Sequence, residues 1–166
     1  MLYVLIEFAN LLLAGLLAGE EFAICYGVRA PLTVLDPGPH IQLRQALIRR
    51  LRVLVPILFA LTVASGVAIL ALGDSGAGSG SGHAFRCAGV LALLIFISIT
   101  FFGTVPINKG ALTWRLDAPP GNWRALVSRW EPLDIARCWA AVLAFAFFLT
   151  AVALRAAGPL AHHTQP

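Results

Sequence analysis

A few side chains in this sequence could move protons or hold an anion, and each lies near the end of an apolar run. Two adjacent acids, Glu20 and Glu21, sit inside "LLLAGLLAGEEFAICYG". Asn108 and Lys109 close the third apolar run, Arg52 opens the second, and Asp134 and Arg137 open the last. A carboxylate in an apolar setting can take a proton as a general base. A guanidinium or carboxamide can hold the oxyanion that results. The same groups can equally form a structural ion pair, Glu20 or Glu21 with Arg137 or Arg52, that pins the helices together. Residue types alone leave both readings open.

The elements that carry these residues follow from composition. The chain has 166 residues, 59% hydrophobic and 12% charged, about half the charged content of a soluble domain. Residues 51–72 hold one charge, Arg52, and residues 87–107 and 138–154 hold none. Each run reaches or approaches the roughly 17–25 residues that a spanning helix needs. The expected fold is all-α: a four-helix transmembrane bundle forming one integral membrane domain over residues 1–166. Its helices are expected at about 2–27, 51–72, 86–107 and 134–156, with a flexible Gly/Ser linker over 73–83. The start, "MLYVLIEFAN", lacks a positive n-region, so a cleaved signal peptide is not expected.

Charge asymmetry orients the bundle. Ten of the twelve Lys and Arg residues flank two connections, the first between helices one and two and the other between helices three and four. Arg86 and Arg155 are the remaining two. The positive-inside rule then puts both basic loops in the cytoplasm and both termini outside, in the cell's inner (cytoplasmic) membrane. Membrane orientation accounts for the basic balance without any nucleic acid.

This topology collects the polar residues. Glu20, Glu21, Asn108, Lys109, Arg52, Asp134 and Arg137 all fall at the cytoplasmic ends of helices. A charge at the bilayer centre costs about 2.5–3.5 kcal/mol on insertion scales, so such groups face the bundle interior and pair. At 100° per residue, Glu7, Asn10, Ala14, Ala18 and Glu21 share one stripe of helix one, with Glu20 on a neighbouring face. Gly15 and Gly19 make a GxxxG pair suited to close helix approach. Glu7, near the outer face, reads as interfacial.

The cytoplasmic loops carry amphipathic pieces. "PHIQLRQALIRRLRVLVP" places Leu43, Leu47, Leu51 and Leu54 on one face, and Gln42, Gln45, Arg49 and Arg52 on another, as an interfacial lead-in to helix two. "PPGNWRALVSRWEP" reads as a short helix with Asn122 as N-cap and Pro132 starting the next helix. Its face of Trp123, Leu126, Val127 and Trp130 is either an aromatic belt at the headgroups or a lid over a cytoplasm-facing pocket. Cys25, Cys87 and Cys138 stand singly in apolar segments and read as inert thiols. His162 and His163 read as a solvated tail, so no metal site is expected. Few polar interior residues argue against a channel, and the lack of an inverted repeat of broken helices argues against a secondary transporter.

The order Pro106-Ile107-Asn108, Trp123, Arg129-Trp130 and Arg137 resembles the anthrone oxygenase-like family of small four-helix membrane proteins. The pattern Gly15, Gly19, Phe22, Pro31, Leu32 in the first third is similar to it too. The resemblance covers roughly residues 8–155 and departs at Asp134, where the family pattern has His or Asn. It implies an oxygenase that works without a metal, flavin or other cofactor on a small, hydrophobic aromatic substrate. A base takes the substrate's acidic proton and the carbanion reduces O₂ directly. Carried onto this sequence, the bases are Glu20, Glu21 or Asp134, the anion stabilisers are Asn108 and Arg137, and Trp123, Trp130 and Arg52 bind substrate. The alternative is a non-catalytic accessory subunit or a carrier of a hydrophobic ligand. The partners expected are the lipid bilayer, such a substrate and, for a homo-oligomer, further copies of the chain.

Overall fold

A computed structural model describes residues 1–73 and 80–161, with side chains to Ala157. Among the described residues there are four helical spans, each long and apolar enough to cross a membrane, and no strand. The protein is an integral membrane helical bundle. The first span is α1 (Leu2–Phe22), a wide π-type turn (Ala23–Val28) and the short α2 (Arg29–Thr33). The second is one unbroken helix, α3 (Pro37–Leu72). The third is α4 (Gly80–Ile99), a second wide turn (Thr100–Thr104) and α5 (Val105–Ala111). The fourth is α6 (Trp123–Ala161).

The burial pattern inverts that of a soluble bundle. In α1 the buried residues are Glu7, Asn10, Ala14, Leu17, Ala18 and Glu21, the polar and small stripe that helical periodicity singles out. Leu5, Phe8, Leu12 and Leu16 are each more than half exposed. Lipid is as apolar as leucine, so helices gain little by hiding leucines and associate through small residues and polar pairs. The alanines of α6, Ala140, Ala141, Ala144 and Ala151, follow the same rule. The most extensive helix–helix interface of the bundle is between α4 and α6. The tightest described glycine position is Gly89, where an added Cβ would lie 2.8 Å from the Phe148 ring. Of the GxxxG pair, Gly15 touches Phe145, while nothing lies within 4 Å of the Gly19 position.

The two proposed interfacial helices are not separate elements. A helix rises about 1.5 Å per residue, so the 36 residues of α3 reach about 54 Å against a hydrocarbon core of about 30 Å. The lead-in is therefore the first third of α3 itself, and α6 likewise begins at Trp123, not at residue 134. Pro132 sits inside α6 instead of starting a new helix. The face of the α3 lead-in that turns inward is His40, Ile41, Arg44 and Gln45, whereas Leu43 and Leu54 point outward. Gln45 clamps the α5–α6 loop, its Nε2 donating to the carbonyls of Ala111 and Trp114 at 3.0 and 2.9 Å. Around that clamp Ile41, Ala111, Trp114 and Trp123 form a second apolar core. Of the expected flexible linker, residues 80–83 are helical in α4, and 74–79 lie outside the described residues, as do His162 and His163.

Glu7 corrects the sequence reading. It is buried and accepts Arg86 Nη2 at 3.3 Å and Arg155 Nη1 at 2.8 Å. The two arginines of the linker end thus share one acid, which is why Glu7 can sit inside the bundle and not at its surface. Asn10 adds polar fastening nearby, its Nδ2 donating to Thr62 O and Ser65 Oγ, each at 3.0 Å.

Candidate functional site

At the opposite end, α1 and α6 bring together the acids and the base that the sequence singles out. Arg137 Nη2 lies 2.9 Å from Glu21 Oε2 and 3.3 Å from Asp134 Oδ1. The Glu21 and Asp134 side chains are almost fully buried. Of the pairings the sequence allows, Glu21 with Arg137 is the one formed, and the i,i+3 contact of Asp134 with Arg137 joins it. Glu20 lies beside them with both carboxyl oxygens shielded and without a hydrogen-bond partner. Arg52 is exposed and bridges none of these acids.

Beside this cluster is a cavity of about 310 Å³, within the roughly 300–1,000 Å³ range of ligand pockets. Its walls are largely apolar: Leu32, Leu47, Ile48, Leu51, Val55 and Val105. Into it come Arg29, His40, Arg44, Arg52, Asn108, Trp130 and Arg137. Glu20, Glu21, Asp134 and Trp123 do not line it. Arg137 is the shared member, salt-bridged on one side and lining the cavity on the other.

The polar atoms around the cavity are short of partners. Arg29 Nη1, Arg44 Nε and Nη2, Trp130 Nε1 and Arg137 Nε are buried donors with no hydrogen bond, and Asn108 Oδ1 and His40 Nε2 lack one too. Buried polar groups are normally satisfied, and each exception calls for an explanation. Arg44 is the sharpest case. It is 5% exposed, and among the described residues no carboxylate lies within salt-bridge distance of it. Its guanidinium stacks over the Trp130 ring, 4.3 Å from the centroid, which offsets part of the cost of burying a charge. A hydrophobic chamber with a buried guanidinium that makes no salt bridge can hold an apolar molecule that presents an oxyanion or a polarised carbonyl.

Trp123 and Trp130, grouped on one helical face by periodicity, play different parts. Trp130 stands in the cavity wall, whereas Trp123 packs edge-on against His40, with ring centroids 5.0 Å apart. Outside the spans, Asp117 pairs with Arg115 at 2.7 Å, and that guanidinium holds the Asp117 carboxyl below its ordinary range. Both are exposed, and neither lines the cavity. Among the described residues, no group of three or more His, Cys, Asp or Glu side chains is placed to hold a metal ion.

Sequence reading missed Arg29, His40 and Arg44 as site residues, because Arg29 and Arg44 serve there only as topology markers. A signal was present: His40, Arg44, Ile48, Leu51 and Val55 recur at helical spacing and share the cavity-facing side of α3. A stripe that mixes ionisable and apolar residues along one face is unlike a surface helix.

The chain matches the anthrone oxygenase family over residues 45–147. No curated protein and no solved structure matches it. The matched segment is more than half of the chain and runs from the middle of the α3 lead-in to Phe147 of α6, taking in Asn108, Trp130, Asp134 and Arg137. On this match the chain belongs to that family, as the order of its Pro-Ile-Asn, Arg-Trp and Arg residues suggests.

Proposed function

We propose that this member of the anthrone oxygenase family is a cofactor-independent oxygenase whose substrate is a small, flat, hydrophobic aromatic ketone with an acidic methylene group. The observation that carries the reading is Arg44, a buried guanidinium that makes no salt bridge among the described residues, in the wall of an apolar cavity. The apolar walls accept the rings. The carbonyl oxygen turns to Arg44, Arg137 and the Trp130 N–H, where unpartnered donors wait for negative charge. As the methylene loses a proton, charge grows on that oxygen, and preorganised donors in a water-poor site stabilise it most in the transition state. The carbanion passes electrons to O₂ and forms a C–O bond. The hydroperoxide then loses water, so CH₂ and O₂ become C=O and H₂O with no external reductant. The basic loops orient this end of the bundle to the cytoplasm.

The test uses the full chain in lipid nanodiscs with anthrone as the probe. The wild type should consume O₂ and place one ¹⁸O atom from ¹⁸O₂ in the product. Arg44→Met removes the charge without stranding an acid, and should lower kcat/KM about 10²–10³-fold, as for loss of one oxyanion donor. Wild-type turnover in that variant would overturn the oxyanion role. Anthrone binding without O₂ uptake by the wild type would replace the oxygenase with a carrier.

A further inference from the structure

The acids that the family resemblance offers as bases are poorly placed for the task. Glu21 and Asp134 are tied up by Arg137 and, with Glu20, do not line the cavity. A base must come within hydrogen-bond reach of the proton it takes. The described cavity lining contains three other groups with acid–base chemistry, Glu131, Lys109 and His40, and of these Lys109 is exposed. Glu131 is half-buried and its oxygens are not among the sequestered, unpartnered atoms, whereas His40 is 6% exposed and its Nε2 is one of them.

The His40 ring is also fixed in a useful orientation. Its Nδ1 lies 2.8 Å from the carbonyl oxygen of Leu32. A carbonyl can only accept, so Nδ1 carries the hydrogen, and in the neutral ring Nε2 is a bare lone pair. Leu32 belongs to α2, and Trp123, from the start of α6, packs edge-on against the same ring. Three elements thus hold one imidazole with its donor nitrogen occupied and its acceptor nitrogen free. A second-side hydrogen bond of this kind sets which nitrogen is available for chemistry. Arg44 follows one helical turn later on α3, so both residues line the same chamber from one helix face.

We propose that His40 is the catalytic base of this site. The inference rests on the oxygenase reading above and names a residue that reading leaves open. Nε2 takes a proton from the substrate methylene. The C–H bond breaks, an N–H bond forms, and the electron pair passes through the ring system to the carbonyl oxygen facing Arg44. After O₂ has added, the imidazolium protonates the peroxide. The neutral ring then takes the second methylene proton as the O–O bond breaks, and returns it to the departing hydroxide as water. Protons and electrons balance with O₂ as the sole oxidant.

The decisive measurement separates proton transfer from oxidation. Anthrone is held under argon in D₂O buffer with the full chain in nanodiscs, and exchange of its methylene protons is followed by NMR above the protein-free rate. His40→Asn can keep the hydrogen bond to Leu32 through its amide while removing Nε2. That variant should bind anthrone as the wild type does, read by tryptophan quenching, and lose exchange by about 10²–10⁴-fold. In His40→Ala, added imidazole should restore exchange, which a merely structural role would not produce. Exchange at the wild-type rate in His40→Asn, or no wild-type exchange despite anthrone oxidation, would overturn the base assignment and leave the oxygenase reading standing. A wild type that neither exchanges nor oxidises anthrone would overturn both.

Discussion

Replacing Arg137 tests whether the polar centre is a lock, an active site or both. Its guanidinium lies 2.9 and 3.3 Å from Glu21 and Asp134. At an effective dielectric constant near 20, each contact is worth about 5–6 kcal/mol of Coulomb attraction. Desolvation of several kcal/mol per ion opposes that gain. Arg137→Met fills a similar volume and removes the cation, leaving two buried acids with no base at bonding distance and Glu20 beside them. Breaking a buried pair in this way costs about 3–5 kcal/mol. The triple variant Glu21→Gln/Asp134→Asn/Arg137→Met removes all three charges and should recover most of that loss, since neutral replacement of a whole buried cluster is often close to neutral. The assay is reversible unfolding in mixed micelles, read by tryptophan fluorescence. If Arg137→Met unfolds within 1 kcal/mol of the wild type, or the triple variant is no more stable than the single one, the ion-cluster reasoning fails. Oxygen uptake on anthrone by a refolded triple variant then speaks to function. Loss of turnover in a stable protein makes Arg137 part of the chemistry as well as the fold, and retained turnover makes it a lock alone.

Two further outcomes follow from geometry and charge. Gly89→Ala would place a Cβ 2.8–3.0 Å from three atoms of the buried Phe148 ring, and should destabilise the bundle by about 1–3 kcal/mol, the usual cost of overpacking. Gly19→Ala enters open space and should stay within about 0.5 kcal/mol of wild type; equal effects on thermal unfolding would contradict the assigned α4–α6 contact. Asp117→Cys, in the exposed part of the α5–α6 loop, should resist a membrane-impermeant maleimide in intact cells and react once the membrane is opened. Labelling in intact cells would invert the orientation proposed from the basic loops.

What the sequence disclosed and what it hid have a common physical origin. Spans and inward stripes are legible because a membrane makes every polar residue conspicuous. Glu21, Asp134 and Arg137 stand out in apolar runs, and their convergence follows once four helices are counted. Glu7 was misplaced because depth along a helix is legible but the partner is not: Arg86 and Arg155 come from two other spans. Arg44 and His40 were hidden for a different reason. They lie in a stretch already rich in arginine, where charge looks like an interfacial anchor, and only the length of α3 and its contact with α2 and α6 turn that face inward. The tight contact at Gly89 gave no motif at all, since it depends on which residue of another helix stands opposite.

Two prolines, Pro31 and Pro106, connect sequence, shape and site. Pro31 and Pro106 each lack the N–H that would bond four residues back, and their rings crowd that carbonyl. Those carbonyls belong to Gly27 and Phe102, and each lies inside a wide turn, Ala23–Val28 or Thr100–Thr104. There the backbone bonds reach back five residues, from Arg29 to Ile24 and from Val105 to Thr100. Such π-type bulges are a known response to strain in a helix and are common at functional sites. Here two of them lie at the same end of the bundle, in the first and third spans, and Ile24, Val28, Thr100 and Thr104 all line the cavity. A widened turn carries about one more residue per turn than an α-helix. Each proline thus stands just beyond a widened turn, and both widened turns supply residues to the wall of the cavity that Arg44 lines.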